Sequence, residues 1–150
     1  MRKIRLSHDY DADAARLWAL VTDLDALAEV NRPRIVMQGL PPGRIREGQR
    51  IEVTVSLFGR LPPQPYAMDV IECDDRARRF HSLESGAGVR HWEHWLQVWP
   101  TTGGCRVHET IAIDAGAFTP LFALWARHLY KSRHSARQRL LRHSRQEGSS

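Results

Sequence analysis

The sequence lacks the features that mark several large classes of protein. No apolar run approaches the roughly 18 residues that a membrane-spanning helix requires, and segment 1–25 is too rich in charge for the apolar core of a secretory signal. The two cysteines, Cys73 and Cys105, form no C-x-x-C pattern, so a disulfide framework is not expected. No glycine motif opens a helix as a phosphate-binding loop would. We therefore expect a cytoplasmic protein with no membrane span and no cofactor.

The composition is typical of one globular domain. The chain has 150 residues, of which 42% are hydrophobic and 26% are charged. This length can bury one substantial core but not two. We expect a single domain over residues 1–146 and a frayed tail at 147–150.

Positive charge is concentrated near the C-terminal end. The net charge is +5, yet residues 1–117 alone carry a net charge of −1. Such a basic stretch could attract nucleic acid or an anionic surface, or it could be the solvated face of a terminal helix. We favour the solvated face. The cations after position 117 are Arg127, Lys131, Arg133, Arg137, Arg139, Arg142 and Arg145.

Hydrophobic periodicity predicts seven strands and two short helices before residue 115. The alternation in Arg2–Asp9 indicates a strand, Asp13 is placed to cap a helix, and Asp25–Val30 is typical of a second short helix. The proline-rich segment Gly59–Pro65 is expected to be a loop. The remaining predicted strands are Arg34–Gly39, Gln49–Phe58, Tyr66–Cys73, Arg79–Glu84, Arg90–Trp99 and Cys105–Asp114.

A long C-terminal helix is predicted from Ala117 to about Gln146. Its predicted apolar stripe leaves Arg137, Arg142 and Arg145 largely outside. The stripe consists of Phe118, Phe122, Trp125, Leu129, Ala136 and Leu140.

The order of elements predicts an α+β fold. Strands joined by short turns form an antiparallel meander, and its apolar face needs a cover. Only the C-terminal helix is long enough to supply that cover. We expect a curved seven-stranded antiparallel sheet wrapped around this helix, with a cavity between the two.

The last two strands predict a polar pair inside this cavity. We place Trp92 on the inward face of Arg90–Trp99, and the alternation in the next strand then puts His94 and Glu109 inward as well. The connecting loop allows two registers, with these two Cβ atoms about 5 Å or about 7 Å apart. The pair could fix the register, orient a ligand, or act in acid–base catalysis.

The same parity places Trp95 and Trp99 on the outer face. They form a candidate partner surface, for instance that of a homodimer. The alternative is that the register differs and both rings line the cavity. His91 and His108 also face outward and could supply at most two metal ligands, with Glu93 as a third, so we expect no metal site.

Three segments are similar to those of a known superfamily. They are HWEHWLQVW at 91–99, GGCRVHETI at 103–111 and LYKSRH at 129–134. Together with the order of elements they resemble the START-like superfamily, also called SRPBCC or polyketide cyclase/dehydrase-like, over roughly residues 2–142. The resemblance implies a helix-grip fold, and more narrowly it is to a bacterial subgroup of ligand-binding type.

Members of that subgroup carry a Trp-x-His motif late in the sheet, an acidic residue in the next strand and an Arg-His pair in the last helix. Trp92 and His94 match the first feature. Glu109 matches the second, and Arg133 with His134 matches the third. The resemblance therefore implies that these side chains belong to the ligand site.

Two positions depart from the subgroup. Leu96 stands where a second histidine often follows, and no aromatic residue occurs near Ile113. These departures imply a more apolar pocket without a relay of histidines. The superfamily includes lipid and hormone binders, aromatic polyketide cyclases, coenzyme-Q-binding proteins and ring-hydroxylase subunits, and the fold does not choose among them.

We expect the protein to bind a small hydrophobic or amphipathic ligand, such as a lipid, an aromatic compound or a polyketide. One alternative is a cyclase or dehydratase enzyme in which His94 or Glu109 moves protons. A second, less favoured alternative is nucleic-acid or partner binding through the basic helix. The expected ligand site consists of Trp92, His94, Glu109, Val53, Val55, Val107, Ile111, Phe122, Trp125, Leu129 and Arg133.

Overall fold

A computed structural model describes residues 1–32 and 34–148 of the chain, with side chains up to residue 143. All seven strands belong to one curved antiparallel sheet, in the order β1-β7-β6-β5-β4-β3-β2. The predicted seven-stranded architecture is therefore confirmed. The strands are β1 (Arg2–Tyr10), β2 (Ile35–Gln38), β3 (Arg50–Leu57), β4 (Gln64–Asp74), β5 (Arg79–Gly86), β6 (Val89–Thr101) and β7 (Gly104–Asp114).

The strands from β2 to β7 form the meander that their short connections predict. β1 instead pairs with the last strand, in a register that sets Arg2 opposite Ile113 and Tyr10 opposite Cys105. β1 is thus one edge of the sheet and β2 is the other. The predicted loop before β4 is shorter than expected, because Pro65 already lies in that strand, opposite Thr54.

Two short helices connect β1 to β2. They are α1 (Ala14–Val21) and α2 (Leu24–Asn31). The Asp13 carboxylate accepts a hydrogen bond from the Arg16 backbone N–H at 2.7 Å, which confirms it as the cap of α1. Asp23 caps α2 in the same way, so a capping aspartate precedes each of these short helices.

The long helix α3 (Thr119–Gly148) follows a single 3-10 turn at Gly116–Phe118. Its buried face is rotated from the predicted stripe. Phe118 is 66% exposed, whereas Arg133 and Arg137 are buried. Assigning Arg137 to the solvated face was wrong, because a buried carboxylate pairs with it. Residues 149–150, at the end of the tail expected to fray, lie outside the described residues.

Two clusters of buried apolar side chains make up the core. One includes Leu17 and Trp18 of α1 with Val107 of β7. The other includes Ile111 of β7 with Leu129 of α3. Cys73 and Cys105 are free thiols. Among the helices of the described residues, none has the length and apolar composition needed to cross a membrane.

Candidate functional site

A cavity of about 400 Å³ lies between the sheet and α3. Its wall is mainly apolar and includes side chains from α2, α3 and the strands β2 to β6. Phe58 and Leu121 are lining residues that are 54% and 63% exposed, so the cavity opens to the surface beside them. The hollow expected between the sheet and the long helix is therefore present.

Not all of the residues expected in the ligand site line this cavity. Val53 and Val107 pack in the first core cluster, and Ile111 packs in the second. Alternation identifies the inward face of a strand correctly, but that face is longer than the cavity and the core covers its remainder. The expected residues that do line the cavity are Val55, Trp92, His94, Phe122, Trp125, Leu129 and Arg133.

The polar pair on β6 and β7 is present in the second of the two predicted registers. Ile111 lies opposite His94, so Glu109 is diagonal to it. His94 Nε2 and Glu109 Oε2 are 2.8 Å apart. The Glu109 side chain is fully buried, and it lies behind His94 rather than on the cavity surface.

Arg137 of α3 completes this group, and sequence reasoning missed it. Its Nη1 donates to Glu109 Oε1 at 2.9 Å. Burial alone raises the pKa of the Glu109 carboxyl, but the Arg137 guanidinium and the His94 hydrogen bond hold that pKa well below its usual range. One signal was available, because Arg137 follows Arg133 by four residues and shares its helix face.

The His94 ring is held from three directions. Phe80 and Tyr130 contact it edge to face, with ring centroids 5.8 Å and 5.2 Å away. A carboxylate can only accept a hydrogen bond, so Nε2 carries the proton shared with Glu109. Nδ1 has no hydrogen bond within the described part of the chain, and it is the ring nitrogen left for a molecule in the cavity.

Arg133 is a second buried cation on the cavity wall. Its Nε donates to Asn31 Oδ1 of α2 at 2.8 Å. Its guanidinium carbon lies 4.3 Å from the centroid of the Tyr130 ring, as in a cation–π contact. The Tyr130 hydroxyl in turn accepts from Trp92 Nε1 at 3.4 Å. Arg133 therefore joins α2, α3 and β6 around the cavity.

A separate polar group lies on β4 and β5. The Tyr66 hydroxyl donates to Glu84 Oε2 at 2.5 Å, and the Ser82 hydroxyl donates to Glu84 Oε1 at 3.1 Å. Tyr66 and Glu84 both line the cavity. Burial, with the adjacent Glu84 carboxylate, raises the pKa of Tyr66. These residues were missed because the alternation in their two strands does not identify the inward face.

His134, which the resemblance placed with Arg133, lies away from the cavity against β1. Its ring stacks on His8 with a centroid separation of 4.6 Å and an interplanar angle of 17°. The Nδ1 atoms of both rings are buried and have no hydrogen-bond partner among the described residues. Burial lowers the pKa of each imidazole. This stacked pair is thus part of the contact between β1 and α3.

The outer face of the sheet carries the two tryptophans expected there. Trp95 stacks on His81 with centroids 4.9 Å apart, and Trp99 is 48% exposed. His81 and His91 both hydrogen-bond Glu93. Within the described residues, no group of three or more His, Cys, Asp or Glu side chains is arranged to hold a metal ion. The homodimer through Trp95 and Trp99 stays a prediction.

Fewer cations of α3 are exposed than its sequence suggested. Arg133 and Arg137 point inward. The exposed cations of this helix, among those whose side chains are described, are Arg127, Lys131, Arg139 and Arg142.

A curved antiparallel sheet with a long C-terminal helix across one face is the helix-grip fold, and it is shared by many solved structures. Protein Ms6760 from Mycobacterium smegmatis has a TM-score of 0.74 at 15% identity, covering 93% of this chain and 90% of that one. A START superfamily protein from Mycobacterium smegmatis has a TM-score of 0.67 at 14% identity, covering 92% of this chain and 98% of that one.

Norcoclaurine synthase from Thalictrum flavum, solved in complex with dopamine and hydroxybenzaldehyde, is also similar. Its TM-score is 0.69 at 15% identity, over 93% of this chain and 86% of that one. Residues 1–142 match the model of the family described as polyketide cyclase / dehydrase and lipid transport. The chain belongs to this family. No curated protein matches the sequence.

Proposed function

We propose that the protein binds a small hydrophobic or amphipathic molecule in the cavity between the sheet and α3. The observation that carries this proposal is an apolar hollow of about 400 Å³ with a few buried polar groups in its wall. Sites for small molecules are commonly 300–1,000 Å³ in volume and are built in this way. A molecule that packs against the apolar lining would add dispersion contacts to those side chains, so binding would stabilise the fold.

The polar groups are suited to orienting such a molecule. Glu109 and Arg137 form a charge-neutral ion pair behind His94. His94 donates through Nε2 to Glu109, which leaves Nδ1 to hydrogen-bond the ligand. In this proposal His94 is a ligand-contacting residue, and Glu109 with Arg137 positions it.

The similar structures support a ligand of this class. Norcoclaurine synthase was solved with two small aromatic molecules, and the family description includes lipid transport. In this chain, Phe122 and Trp125 of α3 would contact the apolar part of the ligand, and Val55 of β3 would contact it from the sheet.

Direct binding of a neutral fluorescent probe, 1-aminoanthracene, tests the proposal. We expect saturable binding to the wild-type protein with enhanced probe fluorescence. The V55W variant fills the cavity and should abolish binding, whereas T54W, on the opposite face of the same strand, should retain it. H94A should weaken binding far more than H108A, because His108 is exposed on the outer face. Equal binding by V55W and T54W would contradict the proposed site.

A cyclase or dehydratase activity is a second candidate. The observation that favours it is the His94 imidazole, whose Nε2 is held by Glu109 while Nδ1 is left for the cavity. A base held in this way could take a proton from the carbon between two carbonyl groups of a polyketide. Incubation with a 3,5,7-triketo thioester, in which attack of C2 on the C7 carbonyl closes a six-membered ring, should then give a cyclic product that has lost water, and H94Q should prevent its formation. An unchanged thioester would favour the binding function alone.

A further inference from the structure

Arg133 differs from the other buried Arg, Glu and His side chains of the described residues, which are His94, Glu109 and Arg137. The first two pair with each other, and Arg137 pairs with Glu109. Arg133 is also buried, with 9% of its surface exposed, yet it forms no ion pair with a described residue.

The contacts that Arg133 does make fix its orientation and leave one edge open. Asn31 accepts from Nε, and the Tyr130 ring covers one face of the guanidinium. A guanidinium has five N–H donors, four of them on the two Nη atoms. No hydrogen bond from these Nη atoms to the described residues is found, and Arg133 lines the cavity.

The acids around the cavity do not supply the missing charge. Glu109 is bonded to Arg137 and His94, one oxygen to each. Glu84 accepts from Tyr66 and Ser82, also one oxygen to each, and it forms no ion pair with Arg133. A cation buried without an anionic partner costs several kcal/mol. The cavity therefore favours an occupant with a negative charge.

We propose that the ligand of the cavity is an organic acid whose carboxylate binds the Nη edge of Arg133. This inference rests on the proposed function and adds the chemical class of the ligand. Two parallel N–H···O bonds from a guanidinium suit the two oxygens of a carboxylate. Asn31 and Tyr130 act as positioning residues, since they hold the guanidinium plane in place before the ligand arrives.

The apolar body of the acid would then extend towards Phe122 and Trp125, near the opening of the cavity. Since the wall of the cavity is mostly apolar, the charged pair would be shielded from water. Ion pairs and charge-assisted hydrogen bonds are stronger in such surroundings than at a surface.

Calorimetric titration with matched probes tests this inference. The probes are 2-naphthoate, 2-naphthamide and 2-naphthylmethylamine, together with octanoate, octanamide and octylamine. For at least one scaffold we expect the acid to bind about tenfold or more tightly than its neutral amide, the usual effect of a hydrogen bond to a charged group. R133M should remove this preference, and R127M, which replaces an exposed cation of α3, should keep it.

The outcomes distinguish the inference from the function on which it rests. Equal affinity for acids and amides, with both competing against 1-aminoanthracene, would overturn the organic-acid assignment and leave the proposed function standing. Tighter binding of the amines would also overturn it and would indicate Glu84 as the recognising group. If no probe binds the wild-type protein, the proposed function fails. Should R133M not fold, the acid–amide comparison in the wild-type protein still decides the question.

Discussion

Arg137 Nη1 of α3 lies 2.9 Å from Glu109 Oε1 of β7, and the two side chains expose only 6% and 0% of their surfaces. This pair joins the long helix to the sheet at the inner side of the cavity. The attraction between the two charges outweighs the cost of burying them, so the pKa of the Arg137 guanidinium is raised and both groups are charged. The position of α3 over the sheet therefore depends on an ion pair as well as on apolar packing.

Removal of Arg137 should destabilise the protein strongly. The R137M variant leaves the buried Glu109 without its cation, and breaking a buried pair in this way typically costs about 3–5 kcal/mol. Urea unfolding monitored by circular dichroism measures the loss. R139M removes an exposed cation two residues further along α3 and should change stability by less than about 0.5 kcal/mol.

The double variant E109Q/R137M provides the control for this interpretation. Removing both charges should recover part of the stability lost in R137M, because no unpaired charge then remains buried. If R137M and R139M lose equal stability, or if E109Q/R137M loses the sum of the two single-variant losses, the pair does not have the structural role described here.

Stability should fall as the solution becomes acidic, through His8 and His134. Burial holds the pKa of both imidazoles below the ordinary value near 6.5. Below that value the unfolded chain binds protons that the folded protein does not, so the free energy of unfolding decreases with falling pH. The contribution of the pair is fully present above about pH 6.5, where both forms are deprotonated.

The double variant H8F/H134F keeps two stacked rings but removes this titration. Its urea midpoint should fall less between pH 7.5 and pH 5.5 than that of the wild-type protein, while H108Q, at an exposed histidine, should behave like the wild type. The same pH dependence in all three proteins would show that the stacked pair does not titrate as described.

Gly86 should be intolerant of a side chain. It has a φ of +121°, and a Cβ atom there would lie 2.3 Å from the backbone oxygen of Pro65 in β4. Gly43 also has a positive φ, of +94°, but it has open space around it. We expect G86A to lose about 1–3 kcal/mol more than G43A, the usual cost of forcing atoms into a packed site. Equal thermal stability of these two variants would contradict the close approach of β4 and β5.

The fold could be predicted largely from alternation. β3 and β7 each have one clearly apolar face, whereas in β6 two sets of apolar residues compete, and the change to a helical period after residue 115 identifies the helix that covers the sheet. The same alternation placed His94 and Glu109 on one face, and a register difference of one step changes their Cβ separation by only a few ångströms. Their contact was therefore predictable without the exact register.

The remainder of the site depends on contacts that no local pattern encodes. In the sequence, Arg137 fits a solvated position on a helix, because charged side chains are mostly exposed. Its burial depends on a buried partner on another element, which the local pattern does not show. The pairing of β1 with β7 joins the two ends of the chain, and nothing in either strand specifies it. Glu84 lies in a strand with no clear parity, so its position on the cavity wall required the three-dimensional arrangement.

A crystal structure of the protein soaked with 2-naphthoate tests the central claim most directly. The account predicts electron density for the naphthalene rings between α3 and the sheet, beside Trp125, with the carboxylate at the Nη atoms of Arg133. Side chains filling that space in the crystal, or naphthoate bound only on the outer face of the sheet at a saturating concentration, would contradict it.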